Sequence, residues 1–532
     1  MKASLAHPAS SSTRRVTRAC VAGALVSLVG LTFTDHVAHA DSYSVTTTDD
    51  GGAGSLRDAI TQANNHPGPD IINVPAGTYT LTIAGTNEDS NATGDLDITG
   101  ETTIIGAGSG STTIDANGID RAIELTGGPV TLQSLTITNG SVPGGSGGNL
   151  LEHNSVDLTV ADSVISNGNA SYGGGIAGGV GVLNILRTAL VGNSVVGVSG
   201  SSGVGAAISK VGAGQASLVM TDSLVTNNHA DQNALAIMYV TAGLTVTNST
   251  ISGNTAYSRI VLLEAQQSEN FAASLDHVTI ANNTTVSLGG GGAGLSINLL
   301  SPAVMPVTVT GSLFVNNVTG ATSSNCSLSG DGGPTVTSGG YNLSDDATCI
   351  SLTQPGDLAD NHVTTLGALG DNGGPTRTLA LMAGSSAIDA AGTCALSTDQ
   401  RGVARPQGVA CDIGAFEAAG AVDPTTTETP TTATPTTEAP SSTLVEPPTT
   451  EGPGSTPVEP PTSVTQTTLD SGVVSITTLP PATTALPIVT MPPFADGQLP
   501  TTGSSHLDSL WLAALVCSLG ALMVLTARRR VR

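Results

Sequence analysis

Leu244-Thr245-Val246-Thr247-Asn248-Ser249-Thr250-Ile251-Ser252-Gly253-Asn254 is the stretch whose reading decides the fold. Leu244 and Val246 alternate with polar neighbours, which is strand period. A polar residue, Asn248, interrupts them, an apolar residue follows at Ile251, and the turn-prone pair Gly253-Asn254 closes the unit. The unit recurs with Ser134, Asp162, Arg187, Asp222, His277 and Gly311 in the place of Asn248, at successive steps of 28, 25, 35, 26, 29 and 34 residues. Two before each anchor stand Leu132, Val160, Ile185, Met220, Val246, Leu275 and Val309. Three after stand Ile137, Ile165, Leu190, Val225, Ile251, Ile280 and Phe314. The turn pairs are Asn139-Gly140, Asn167-Gly168, Gly192-Asn193, Asn227-Asn228, Gly253-Asn254, Asn282-Asn283 and Asn316-Asn317.

Repeated in register every ~4.8 Å, such units stack their aliphatic residues inside and their Asn residues at one corner. The expectation is an all-β chain built as a right-handed parallel β-helix, with the array at about 130–317. Unequal steps read as loops inserted on one flank, at Gly173-Gly174-Gly175 and Gly289-Gly290-Gly291-Gly292. The mixed, polar anchors read as outer surface, so Asn248→Asp is expected to be neutral. A propeller or β-sandwich would favour antiparallel hairpins and an aromatic residue per unit. This chain has 66 Gly but only 2% aromatic residues, and its one Trp, Trp511, lies outside the array.

Upstream, Ser55 can N-cap a short helix with Leu56, Ala59, Ile60 and Ala63 on one face. That helix would cap the open end of the solenoid. Downstream, residues 320–420 carry Cys326, Cys349, Cys394 and Cys411. Four cysteines in an exported chain allow three pairings. Local stacking favours Cys326–Cys349 and Cys394–Cys411. A metal site is the alternative, but no C-x-x-C supports it.

The two ends speak of export and retention. Arg14, Arg15 and Arg18 precede an apolar run, and Ala38-His39-Ala40 supplies a signal cleavage site, between Ala40 and Asp41. The residues around Arg14-Arg15 fit a twin-arginine signal poorly, so the general secretory route is expected for the signal peptide, 1–40. Residues 421–498 are dominated by Thr, Pro, Glu and Ser and read as a disordered stalk. Extended, it would reach roughly 240 Å. In the last segment, 499–532, Leu499-Pro500-Thr501-Thr502-Gly503 precedes an apolar run at 510–527, long enough for a membrane helix, and then Arg528-Arg529-Arg530-Val531-Arg532.

That ordered tail resembles the L-P-x-T-G cell-wall sorting signal of Gram-positive surface proteins. The resemblance implies that sortase cleaves between Thr502 and Gly503 and joins Thr502 to peptidoglycan, so the expected location is the cell wall, with the membrane helix only a transient anchor. Residues 41–420 also resemble the CSLREA and choice-of-anchor Q surface proteins. The first likeness rests on Gly54-Ser55-Leu56-Arg57-Asp58-Ala59, with Gly54 in place of the leading Cys. The second rests on Asp371-Asn372-Gly373-Gly374-Pro375, Asp399-Gln400-Arg401-Gly402 and Cys411-Asp412-Ile413-Gly414-Ala415-Phe416-Glu417. It implies an extracytoplasmic parallel β-helix without a shared activity.

The net charge of −25 becomes −31 once residues 1–40 and 503–532 are removed, with eight basic residues left against 39 acidic ones. Nucleic acid is excluded as a partner, since Lys210 is then the only lysine. The adjacent acids Asp49-Asp50 and Asp345-Asp346 sit in turn-like contexts and read as solvated. Arg187, Lys210 and Arg259 fall at unrelated repeat phases, while His153, His229 and His277 read as exposed. No catalytic residue emerges. One weak calcium candidate does, on alternate oxygen-bearing residues: Asp89, Asn91, Asp95 and Asp97. It lacks the twelfth-position Glu of an EF-hand, where Gly100 stands. The expected function is display of a structural, adhesive or ligand-binding β-helix that meets a polysaccharide or protein, with no obligatory cofactor. The alternative is a wall-anchored polysaccharide lyase or glycoside hydrolase.

Overall fold

The computed structural model describes residues 40–420, apart from 87, 154, 198–202, 213–215, 232–233, 266–270, 288–290, 300–304, 330–335, 350–351 and 361. The segments expected to be a signal peptide (1–40, save Ala40), a stalk (421–498) and a sorting signal (499–532) lie outside the described residues.

One coil shows how the array is built. Strand β1 (Gly243–Thr247) is followed by β2 (Thr250–Ser252), the two-residue β3 (Thr255–Ala256) and the long β4 (Arg259–Ala265). Each pairs in parallel with its counterparts one coil away, giving parallel sheets of 11, 9 and 11 strands and an eight-stranded one that is parallel except at its last pair. This is a parallel β-helix. Leu218, Leu244, Ala273 and Val307 stack in register, as do Met220, Val246, Leu275 and Val309, and Val225, Ile251, Ile280 and Phe314. All twelve are buried.

Corners explain the polar positions. The seven anchors have φ between 45° and 60°, and the first member of each turn pair has φ between 55° and 69°. Each coil therefore bends twice through the left-handed region, which Asn and Gly enter most cheaply. Arg187 does so too, and its guanidinium grips Asp162 of the preceding coil with bonds of 2.6 and 2.9 Å. Gly311 is required sterically, because a Cβ there would lie 2.7 Å from the His277 ring.

The second member of the turn pair builds the asparagine ladder. Oδ1 of Asn193, Asn228, Asn254, Asn283 and Asn317 each accepts the backbone N–H of the preceding coil's counterpart, at 2.9–3.2 Å. Gly168, the counterpart of Gly140 in the next coil, has no side chain, so Asn149 reaches in to accept the Gly140 N–H. Asn325 and Asp346 finish the ladder at the other end. We expect Asn228→Ala to cost about 3 kcal/mol in chemical denaturation, because it strands the buried Asn193 N–H and Leu190 carbonyl. A second ladder, not anticipated from sequence, runs through the hydroxyl residue after the anchor: Ser163, Thr188, Ser223 and Ser249.

Two expectations need correction. Gly173-Gly174-Gly175 is no inserted loop, since the N–H groups of these residues bond to Val204, Gly205 and Ala206 of the next coil. Of the second glycine run, Gly289 and Gly290 lie outside the described residues. The anchor column is not all outer surface: Asn248 is only 5% exposed and His277 only 2%. The cause is a strap formed by residues 364–418.

The strap contains an antiparallel pair, Leu366–Gly370 with Thr378–Leu381, and buries Leu379, Leu381, Ile413 and Phe416 against Leu313, Val315 and Leu343 of the solenoid. It is tied down by polar contacts at the corner. Asn248 donates to the Thr398 carbonyl, Thr250 to Gln400 Oε1, Gln400 to the Ser223 carbonyl and Thr376 to that of Asp222. Within it, Arg405 pairs with Glu417 at 2.9 Å, and Arg401 bonds Asp399 while stacking 3.6 Å over Phe416. The cysteines join Cys326 to Cys349 and Cys394 to Cys411, with Cα separations of 4.9 and 5.5 Å. Non-reducing peptide mapping is expected to recover those two pairs, each worth about 3 kcal/mol by chain entropy; free thiols or crossed pairs would refute it.

Burial pushes the Asp412 carboxyl up to about 6, against hydrogen bonds from Asp389 and Ala418 that favour its charge. A raised carboxyl pKa gives stability that is full below the unfolded value near 4 and lost as pH rises through the folded one. Hydrogen exchange in the strap, corrected for intrinsic rates, should show weaker protection at pH 7.5 than at pH 5. The expected loss over that interval is about 1.3 kcal/mol, since part of the stabilisation has already gone by pH 5.

Candidate functional site

A dense group of buried titratable side chains lies at the N-terminal end of the described residues. Helix α1 (Leu56–Asn64) starts at Ser55, whose Oγ accepts the Asp58 N–H at 3.1 Å, and buries Leu56, Ala59, Ile60 and Ala63 as the sequence indicated. Arg57, on the same face, reaches Asp50 at 2.9 Å and the carbonyls of Gly94 and Asp95 at 2.8 and 2.7 Å. Asp50 in turn accepts the N–H groups of Thr82 and Ile83. It is a buried brace rather than a solvated turn residue.

The loop before Asp95 is organised by its own polar groups. Glu88 accepts the N–H groups of Ala92 and Thr93. Asn91, at φ 58°, exchanges bonds of 2.7 and 3.1 Å with Asp97 and donates to the Arg57 carbonyl. Of the four residues singled out for calcium, Asp89 is exposed and Asn91 is committed to these bonds. Asp95 and Asp97 are buried, and Glu124 joins them from the next coil, where it stands in register with Asp97. One oxygen from each of the three lies within 4.8 Å of the others. The linear spacing missed Glu124 because the neighbour across a rung is 27 residues away; only the strand pairing reveals it.

Around this trio stand Asp120, Arg121 and His153. Arg121 bonds Asp95 at 3.0 Å and also pairs with Glu124, and His153 pairs with the other Glu124 oxygen. Burial pushes Asp95 up to about 7, opposed by Arg121 and reinforced by Asp120 and Asp97. Burial likewise pushes Asp97 up to about 7, against the N–H of Asn91. Asp97 Oδ1, Asp120 Oδ2 and Arg121 Nε have no hydrogen-bond partner among the described residues.

The remaining candidates are scattered. Lys210 and Glu152 form a fully buried pair at 2.7 Å inside the solenoid. Asp346 is buried and accepts the Asn325 N–H, so it is not a solvated acid, whereas Asp345 is half-exposed and accepts the Asn316 N–H at the surface. His277 is buried against Asp276, contrary to its reading as exposed. His229 is exposed, on an open depression of about 520 Å³ that Asp231, Thr255, Tyr257 and Val286 also line. Tyr257 is an exposed aromatic ring that the low aromatic content obscured.

The sequence matches no protein-family model and no curated protein. Among solved structures, the chain is similar to the crystal structure of pectate lyase Pel9A, at 15% identity and a TM-score of 0.36, covering 71% of this chain and 96% of that one. The stacked parallel strands give the fold on their own.

Proposed function

We propose that the chain is an exported surface protein, linked to the peptidoglycan of a Gram-positive cell wall through Thr502 and displaying its β-helix at the end of a Pro/Thr-rich stalk. The observation that carries this reading is the ordered tail: Leu499-Pro500-Thr501-Thr502-Gly503, then the apolar run at 510–527, then the terminal arginines. A plain membrane anchor needs no such pentapeptide. The likeness of residues 41–420 to choice-of-anchor Q proteins supports export, without bearing on the kind of anchor.

Binding or structural display fits the surface better than catalysis on an acidic polysaccharide. A polyuronate needs cations at the surface, and most of the basic groups here are engaged internally. Arg57, Lys210 and Arg405 are buried with acidic partners, and Arg121, Arg187 and Arg401 are also paired. The depression around Tyr257 is the place where a neutral sugar would stack, as aromatic faces do against apolar ligand surfaces.

Two experiments test the proposal. Thr502→Ala should leave the protein unlinked to the wall, shed or held in the membrane; an unchanged cross-linked ladder after muramidase digestion would refute sorting at Thr502. A polysaccharide panel with the full chain should show binding without cleavage, weakened by Tyr257→Ala. Release of reducing or unsaturated ends would instead favour the lyase or hydrolase.

A further inference from the structure

We propose that the N-terminal cap binds one hard divalent cation of the calcium class through Asp95, Asp97 and Glu124. The first observation is geometric. Two oxygens on one calcium, each roughly 2.4 Å from it, can stand at most roughly 4.8 Å apart. The three carboxylates present one oxygen each within 4.8 Å of one another.

The second observation concerns bonds that are missing. Asp97 is 0% exposed and its Oδ1 has no partner, although its Oδ2 and its N–H are both engaged by Asn91. Asp120, outside the trio, is 4% exposed and its Oδ2 is also unpartnered. That oxygen lies beside Gly94, where a Cβ would be 2.9 Å away. Buried carboxylate oxygens rarely go unmatched, and a cation is a partner that would satisfy them.

Charge points the same way. Asp95, Asp97, Asp120 and Glu124 face one guanidinium, Arg121, and one imidazole, His153, which pairs with Glu124. Arg121 can balance one of the four carboxylates, so with all four ionised the buried pocket would carry an excess of negative charge that a cation would neutralise. An all-oxygen trio selects a hard cation over zinc or copper. Asp97 and Glu124 are fixed on adjacent strands, which suits the irregular coordination of calcium better than the octahedron of magnesium. Such an ion would tie the loop before Asp95, and with it the Arg57 side chain of α1, to the first coils.

The test is calorimetric titration of the purified full chain, stripped with EDTA, with calcium chloride and separately with magnesium chloride, alongside thermal melting. Wild type should bind one calcium in the range of about 10⁻⁴–10⁻³ M typical of extracellular modules, and melt at higher temperature with it. Asp97→Asn, which keeps the shape and removes the charge, should weaken binding roughly tenfold or more. Glu124→Gln should do the same and serves if the first variant fails to fold. Absence of binding at millimolar calcium overturns the proposal, as does unchanged affinity in a folded variant. If protons neutralise the pocket instead, Asp97→Asn will raise the melting temperature at pH 8 and calcium will add nothing.

Discussion

Replacing Ile251 by Asp is expected to cost at least about 4 kcal/mol and to open the coils around it. The side chain is 1% exposed and stacks between Val225 and Ile280 in the solenoid interior. Losing the buried side chain removes roughly 2–3 kcal/mol of apolar burial. The carboxylate must then be desolvated or protonated where no partner waits, which adds several kcal/mol. Coils contact mainly their neighbours, so damage should begin near residue 251 and spare distant rungs. The comparison is Thr245→Asp, on the exposed face of the same coil, with an expected change within about ±0.5 kcal/mol. Asn248→Asp belongs between them, since it loses the donor to the Thr398 carbonyl under the strap, at about 1–3 kcal/mol. Circular dichroism melting and limited proteolysis rank the three. Equal tolerance of Ile251→Asp and Thr245→Asp would mean that the register is wrong.

The register itself was legible because the solenoid imposes the same constraint on every coil. A column of apolar residues three after every anchor is what results when each one faces the same interior. The first coils escaped that reading although they belong to the same sheets: Ile72 and Ile104 stack under Leu132, and Tyr79 and Ile114 under Ile137. There the bends are made by other residues, so no recurrent anchor marks them. The serine and threonine ladder was visible in principle, as a small hydroxyl residue directly after four successive anchors. It was overlooked because such residues are ordinary in strands and turns alike.

The strap and the acidic cap were hidden for a different reason. Both depend on contacts between residues far apart in the chain, such as Gln400 with Ser223 and Glu124 with Asp97. Repeat spacing carries no information about a segment that folds back across it. Asn248 looked like an exposed corner because nothing in its own coil covers it; the cover comes from Thr398, 150 residues later.

The buried pair Glu152–Lys210 yields the other large effect. Their charged atoms are 2.7 Å apart and both side chains are 0% exposed. Lys210 is in register with Gly178 and Val240, and Glu152 with Leu125, so the pair stands in an otherwise apolar column. The two residues lie on coils separated by the coil of Gly178. A Cβ at 178 would be 2.8 Å from Glu152 Oε2 and 2.9 Å from Lys210 Cδ, so the glycine provides the space through which they meet. Burial pulls Lys210 down and pushes Glu152 up, each away from its charged form, while each partner's charge opposes the shift. Glu152→Gln should therefore cost about 3–5 kcal/mol, because it leaves an ammonium without a counter-charge in the core. Converting both at once, with Glu152→Leu and Lys210→Met, should restore stability to within about 1 kcal/mol of wild type or exceed it, since no charge then needs desolvation. Denaturant titration of the single and double variants separates the two outcomes. A double variant as unstable as Glu152→Gln would show that the pair contributes a geometry that apolar packing cannot replace.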